Sequence, residues 1–180
     1  MPRLKPLAPN EVDPASLKVF EGFYAKRGNV PNMFRTFARR PEMMIAASNL
    51  MSAVLSTGTL DLRLKEMVVV RTSQLNECAY CLTSHSTILR NLGLSQENID
   101  ALQAPDDSRW TERERVALRY AEQVTVNAKG ISDELWASLR EHFDEGEIVE
   151  LTATTSLFSM FNRFNDALDM AITEPGWPEA

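Results

Sequence analysis

Residues 66–85 read EMVVVRTSQLNECAYCLTSH, and the interpretation of this stretch decides the fold. Eleven residues separate Glu66 from Cys78, two separate Cys78 from Cys81, and three separate Cys81 from His85. On an α-helix of about 3.6 residues per turn, positions 78, 81 and 85 share one face. These are the only two cysteines of the 180-residue chain, and His85 is one of its two histidines. Upstream, Met67-Val68-Val69-Val70 is β-branched and could pass locally for a strand. However, Leu60, Leu64, Met67 and Val68, then Arg71 and Leu75, recur at helical spacing in a longer proline-free segment. The spacing therefore predicts a helix from about Leu60 to Gln74 that carries Glu66. Asn76 is expected to cap the cysteine helix, which runs to Asn91 and stops at Gly93.

Working outward, the flanks are helical too. The opening segment, residues 1–12, has no usable periodicity and is expected to run irregularly over the surface. Asp13 before Pro14 predicts an N-cap with proline in the first turn, and Leu17, Phe20, Phe23 and Tyr24 follow at helical spacing to Gly28. Asn32 is expected to cap a short helix carrying Met33, Phe34 and Phe37. Pro41 opens the next, with Met44, Ala47, Leu50, Met51 and Val54 as its predicted buried stripe before Gly58. Ser95 starts a short helix before Pro105, and Thr111-x-x-Glu114 is a capping box for a helix to about Ala128. Ser132 caps another, holding Leu135, Trp136, Leu139 and Phe143. Residues 145–172 read as one long helix whose apolar stripe is wider than a single partner helix needs. The expected class is all-α, with residues 1–180 forming one domain.

Composition narrows the function. Hydrophobic residues at 44% and charged residues at 24% are ordinary for a globular chain, which excludes disordered and fibrous classes. A formal charge of -6 disfavours a nucleic-acid partner, which would require a basic face. No run of apolar residues is long enough to span a membrane, and MPRLKPLAPNEVDP lacks an apolar signal-peptide core, so the expected location is cytoplasmic. In that compartment, a Cys-x-x-Cys pair points to redox chemistry or metal binding rather than a structural staple.

Three readings compete for the constellation. Cys78 and Cys81 can be core residues beside a satisfied histidine. Alternatively, Cys78, Cys81 and His85 can supply three zinc ligands, with Glu66 or His142 as a fourth, although structural zinc sites more often draw ligands in pairs from two segments. The redox reading uses every feature. Cysteines one turn apart, with Cα atoms ~5–6 Å apart, are within disulfide range. A helix N-terminus favours a thiolate. His85, one turn after Cys81, leans back toward that sulfur. Glu66, in an otherwise apolar stretch, is suited to fixing the imidazole or taking a proton through water. Position near the helix end favours Cys78 as the attacking thiol, whereas side-chain direction favours Cys81 with His85; geometry leaves both open.

Glutamate, eleven residues, cysteine, two residues, cysteine, three residues and histidine resembles the active-site pattern of the AhpD-like, carboxymuconolactone decarboxylase-related superfamily, matched by Glu66, Cys78, Cys81 and His85. The flanks GNVPNMFRTFARRPEM and LTATTSLFSMFNRFNDALDM resemble its peroxidase-related branch, so the likeness covers most of residues 28–172. The resemblance implies an all-helical fold assembling as a homo-oligomer, a trimer or hexamer. It also implies a thiol peroxidase with a hydroperoxide substrate, a cellular dithiol reductant, and no metal or organic cofactor. By the same resemblance, Cys81 is peroxidatic, Cys78 is resolving, and Glu66 and His85 relay protons. Tyr80 stands between the cysteines where alkylhydroperoxidase D itself has a histidine, which leaves the physiological peroxide unassigned. The decarboxylase branch does not use this cysteine pair, so lactone decarboxylation is not implied.

Overall fold

The computed structural model describes residues 2–179, and its regular structure is helical, with no strand among the described residues. In order the helices are α1 (Pro14–Arg27), α2 (Asn32–Phe37), α3 (Pro41–Ser56), α4 (Leu62–Leu75), α5 (Ala79–Asn91), α6 (Gln96–Ala101), α7 (Glu112–Asn127), α8 (Asp133–His142) and α9 (Glu145–Ala167). Short 3-10 turns occupy Pro9–Glu11 and Ala128–Gly130. Where the sequence reads as one domain, the chain divides into two compact units. One takes Met1–Ala53 with Asn165–Ala180, and the other takes Val54–Phe164.

In the first unit, Asp13 accepts hydrogen bonds from the amides of Ala15 and Ser16, which fixes the start of α1. Gly28, in the left-handed region, ends it. Phe23 stacks on Phe34 with ring centroids 4.5 Å apart, and Phe34 lies 6.3 Å from Phe37. Asn32 is the first residue of α2 rather than its cap, because Pro31 takes the cap position. Its amide nitrogen instead donates to the carbonyls of Ala171 and Ile172, tying α2 to the C-terminal segment.

The second unit is built around α4. Leu64 through Val70 are all buried, as are Thr72 and Ser73, so this helix is enclosed on every side, as a central core helix is. Leu64 and Val68 pack with Val116, Ala117 and Tyr120 of α7, Leu139 of α8 and Leu151 of α9. Met67 and Val70 pack in a second cluster with Leu89 of α5, Ile99 of α6, Leu118 of α7 and Trp110, which precedes α7. Burial on all sides explains why a β-branched run sits in a helix: tertiary packing overrides local preference. Thr111 and Glu114 make the expected reciprocal capping box at α7, and Ser132 caps α8.

Two further expectations are corrected. First, the helix read as 145–172 stops at Ala167. Asp169 takes a left-handed conformation, φ 49°, while the amides of Asp169 and Met170 bond back to the carbonyls of Asp166 and Asn165. Second, of the stripe expected on α3, Met44 is buried, but Leu50 is 51% exposed, and Met43 on the same helix is 57% exposed. Along the wide stripe of α9, Leu151, Leu157, Phe158 and Phe161 are buried. No helix is long and apolar enough to cross a membrane among the described residues.

Candidate active site

Two charged residues lie side by side in the buried helix α4, and each is matched elsewhere. Lys65 donates to the carbonyls of Val54 at 2.9 Å and Thr57 at 2.5 Å and pairs with Glu150 at 2.7 Å. Glu66, 1% exposed, meets His85 instead: its Oε2 lies 2.6 Å from the ring Nδ1. A buried carboxylate without a partner would be strongly disfavoured, and the imidazole on α5 supplies that partner. The edge of Phe158 on α9 closes against the same imidazole, ring centroids 4.8 Å apart. With Nδ1 engaged by Glu66, Nε2 is the ring position that remains for a second partner.

The turn that delivers the cysteines differs from the expected one. Asn76 is the C-cap of α4, not the N-cap of α5; Cys78 holds the N-cap position. Between them Glu77 has a φ of 56°. The Cys78 amide donates to the Ser73 carbonyl at 3.0 Å, and the Glu77 amide donates to that of Gln74 at 3.2 Å. These two bonds form a Schellman motif closing α4 with a glutamate where glycine is usual. Cys78 thereby belongs to both helices at once, ending the turn of one and starting the other. Cys81 falls in the first turn of α5 and His85 one turn later, the order the motif spacing anticipates. Both cysteines are buried, Cys78 at 0% and Cys81 at 3% exposed. The first-turn amides of α5 present partial positive charge at this end, which favours a thiolate over a thiol.

Sequence reasoning marks Asn162 as an amide in need of partners but does not anticipate that Ser73 and Asn76, behind the turn, supply them. Ser73 donates its hydroxyl to the Val69 carbonyl at 2.8 Å and receives a hydrogen bond from Asn162 Nδ2 at 3.1 Å. Asn76 Nδ2 donates to Asn162 Oδ1 at 2.9 Å. The one signal in sequence was an asparagine among the aromatic residues of the α9 stripe. His142, considered as a fourth zinc ligand, ends α8, where its carbonyl accepts from Arg113. Among the described residues no group of three or more His, Cys, Asp and Glu side chains is arranged to hold a metal ion.

The sequence and the fold have counterparts. Residues 41–123 match the model of the carboxymuconolactone decarboxylase family. The chain is 31% identical over 106 residues to the uncharacterized protein YdfG of Bacillus subtilis, covering 58% of this chain and 72% of that one. The alkylhydroperoxidase AhpD core of an uncharacterized peroxidase-related protein from Ralstonia eutropha JMP134 is similar in structure, with a TM-score of 0.86 and 26% identity, over 95% of this chain and 92% of that one. The debrominase Bmp8, solved with 2,3,4-tribromopyrrole, shares the fold at a TM-score of 0.82 and 22% identity, over 93% and 90% of the two chains. The fold and the family match together define an all-helical AhpD-like protein. The chain belongs to the carboxymuconolactone decarboxylase family within the AhpD-like superfamily.

Proposed function

We propose that the protein is a thiol-dependent peroxidase that reduces hydroperoxides through Cys81 and Cys78. The observation that carries this reading is the buried Glu66–His85 pair, 2.6 Å apart, delivered one turn along the helix whose first turn holds both thiols. Glu66 accepts the Nδ1 proton, fixing the tautomer that leaves Nε2 as a base. His85 Nε2 takes the Cys81 proton, directly or through a water. The Cys81 thiolate then attacks a peroxide oxygen; an S–O bond forms, the O–O bond breaks, and the departing alkoxide takes a proton from the imidazolium. Cys81 is left as a sulfenic acid. Cys78 attacks its sulfur, the S–O bond breaks, water leaves with the Cys78 proton, and a disulfide joins the two cysteines. A cellular dithiol returns both to thiols by exchange and is itself oxidised to a disulfide.

The alternative enzyme reading is a reductase or isomerase acting on protein or small-molecule disulfides, and burial weighs against its protein substrates. Attack on a disulfide requires the two sulfurs to meet, and a folded protein partner has poor access to thiols that are 0% and 3% exposed. A small hydroperoxide needs far less room. The relative from R. eutropha, described as peroxidase-related, points the same way. A redox-sensing protein without turnover is the reading outside enzymes.

Peroxide-dependent turnover with a panel of small and protein dithiol donors tests the proposal. Wild type should consume peroxide with at least one donor, and Cys81→Ser should lose that activity. Disulfide exchange on a protein substrate in the absence of peroxide consumption would favour the reductase, and no turnover with any donor would favour the sensor.

A further inference from the structure

The α4–α5 connection, residues 76–78, is the part of the site that must be in register for the two sulfurs to join. It is three residues long and contains a non-glycine residue in the left-handed region, Glu77 at φ 56°, a conformation that costs energy unless its surroundings fix it. One side chain bonds both to the last turn of α4 and to the first residue of the connection. Asn162 on α9, fully buried, donates through Nδ2 to Ser73 Oγ and accepts through Oδ1 from Asn76 Nδ2. Ser73 is also the residue whose carbonyl holds the Cys78 amide. Its hydroxyl is oriented in turn, because its proton is committed to the Val69 carbonyl. Asn162 is thus bonded to the residue just before the turn and to the residue that anchors Cys78. A buried amide among aromatic side chains is unfavourable unless both its ends are satisfied; here both are, one by the last turn of α4 and one by the first residue of the connection that carries Cys78.

We infer that Asn162 is a positioning residue for the redox pair: through Ser73 and Asn76 it holds Cys78 where it can close on Cys81. The inference rests on the peroxidase reading only in assigning Cys78 the resolving role; closure itself is a property of the dithiol. Closing a disulfide removes conformational freedom from the connection. A connection already held loses less, which raises the effective concentration of one sulfur at the other. Without the clamp, the dithiol samples more conformations, and both the closing rate and the closure equilibrium fall.

The test is the thiol–disulfide equilibrium of the purified protein in buffers of reduced and oxidised dithiothreitol. In that exchange the two cysteine thiols give two electrons and two protons to the dithiothreitol disulfide. Asn162→Ala removes both bonds. Asn76→Ala removes one, at a half-buried position whose truncation leaves the core intact. Asn162→Ala should lower the closure constant roughly tenfold, which raises the potential by about 30 mV. Asn76→Ala should lower it roughly threefold to fivefold. Leu139→Val, on the buried face of α8, serves as a control: it should reduce thermal stability without moving the closure constant.

A closure constant for Asn76→Ala within 1.5-fold of wild type would overturn the inference, as would a comparable shift in Leu139→Val. If Asn162→Ala does not fold, Asn76→Ala decides. Because no peroxide enters this measurement, a protein with normal closure but no peroxide turnover would refute the peroxidase reading while the clamp is judged on its own ratio.

Discussion

Glu66 and His85, nineteen positions apart, meet at 2.6 Å with both side chains buried. Their pairing makes α4 and α5 interdependent in stability as well as in the proposed chemistry. Removing one partner leaves the other buried without its hydrogen bond. Glu66→Leu or His85→Leu alone should therefore cost on the order of 3 kcal/mol, and the double variant should cost less than the sum. Glu66→Gln keeps shape and most of the packing but removes the acceptor charge. In stopped-flow reactions with peroxide, Glu66→Gln and His85→Ala should slow thiol oxidation by ~10²- to 10⁴-fold. Unchanged second-order rates in both would eliminate the relay and leave helix-end activation alone.

Lys65, next in sequence to Glu66, predicts an acid-sensitive fold. Burial of Glu150 opposes its charge. The hydrogen bond from Lys65, those from the amides of Thr59 and Leu60, and the Lys65 charge outweigh burial and hold the carboxyl below its ordinary value of 4.5. Since the folded value is depressed, the associated stability is fully present above the unfolded value and is lost as pH falls through the folded one. Glu114 follows the same rule: hydrogen bonds from Thr111 and Arg63 overcome its burial. Urea titrations should show stability falling below about pH 4.5. Glu150→Gln should be less stable at neutral pH and show a shallower fall on the acid side. A parallel acid limb in wild type and variant would contradict this.

Gly58 gives a second check on the same corner. Its φ of 89° lies in the left-handed region, and a Cβ there would come within 2.2 Å of the Glu150 carboxylate. Gly58→Ala should cost about 1–3 kcal/mol, and less in a Glu150→Ala background, where the obstruction is gone. Equal costs in both backgrounds would show that the backbone alone is responsible.

Much of this was readable because it is local. Asp13, Ser95, Thr111 and Ser132 cap the helices they precede, since a side-chain oxygen needs only the amides two or three residues on. Cys78, Cys81 and His85 were legible because their spacing is helical, and Glu66 because it stands in an apolar run and completes the family pattern. Other features depend on distant chain. Asn76 is a good N-cap by type, but the Schellman turn through Glu77 consumes it, and glutamate gives no hint of a left-handed φ. The early end of α9 turns on Asp169, another residue without glycine's signal. Asn162 and Ser73 are 89 positions apart, beyond any periodicity. Letters alone also cannot say what covers an apolar stripe: the chain itself covers Phe158 and Phe161 but not Leu50.

The exposed face of α3 is the surface on which the homo-oligomer implied by the family resemblance is tested. Met43 and Leu50 are more than half exposed on a helix with little charge, a face that monomers usually keep small. Sedimentation equilibrium at micromolar concentration should give a trimer or hexamer, and Leu50→Glu should lower its mass. A single species at 20.3 kDa would contradict this.

The central claim is that Cys81 and Cys78 form one two-electron redox pair driven by peroxide, and titrating the reduced protein with a hydroperoxide measures it directly. One equivalent should remove two thiols per chain and yield a Cys78–Cys81 disulfide in the peptide map. Cys78→Ser should stop at a sulfenic acid on Cys81, trappable with dimedone. Loss of thiols solely through links between chains, or a Cys81→Ser variant that still reacts at the wild-type rate, would contradict the account.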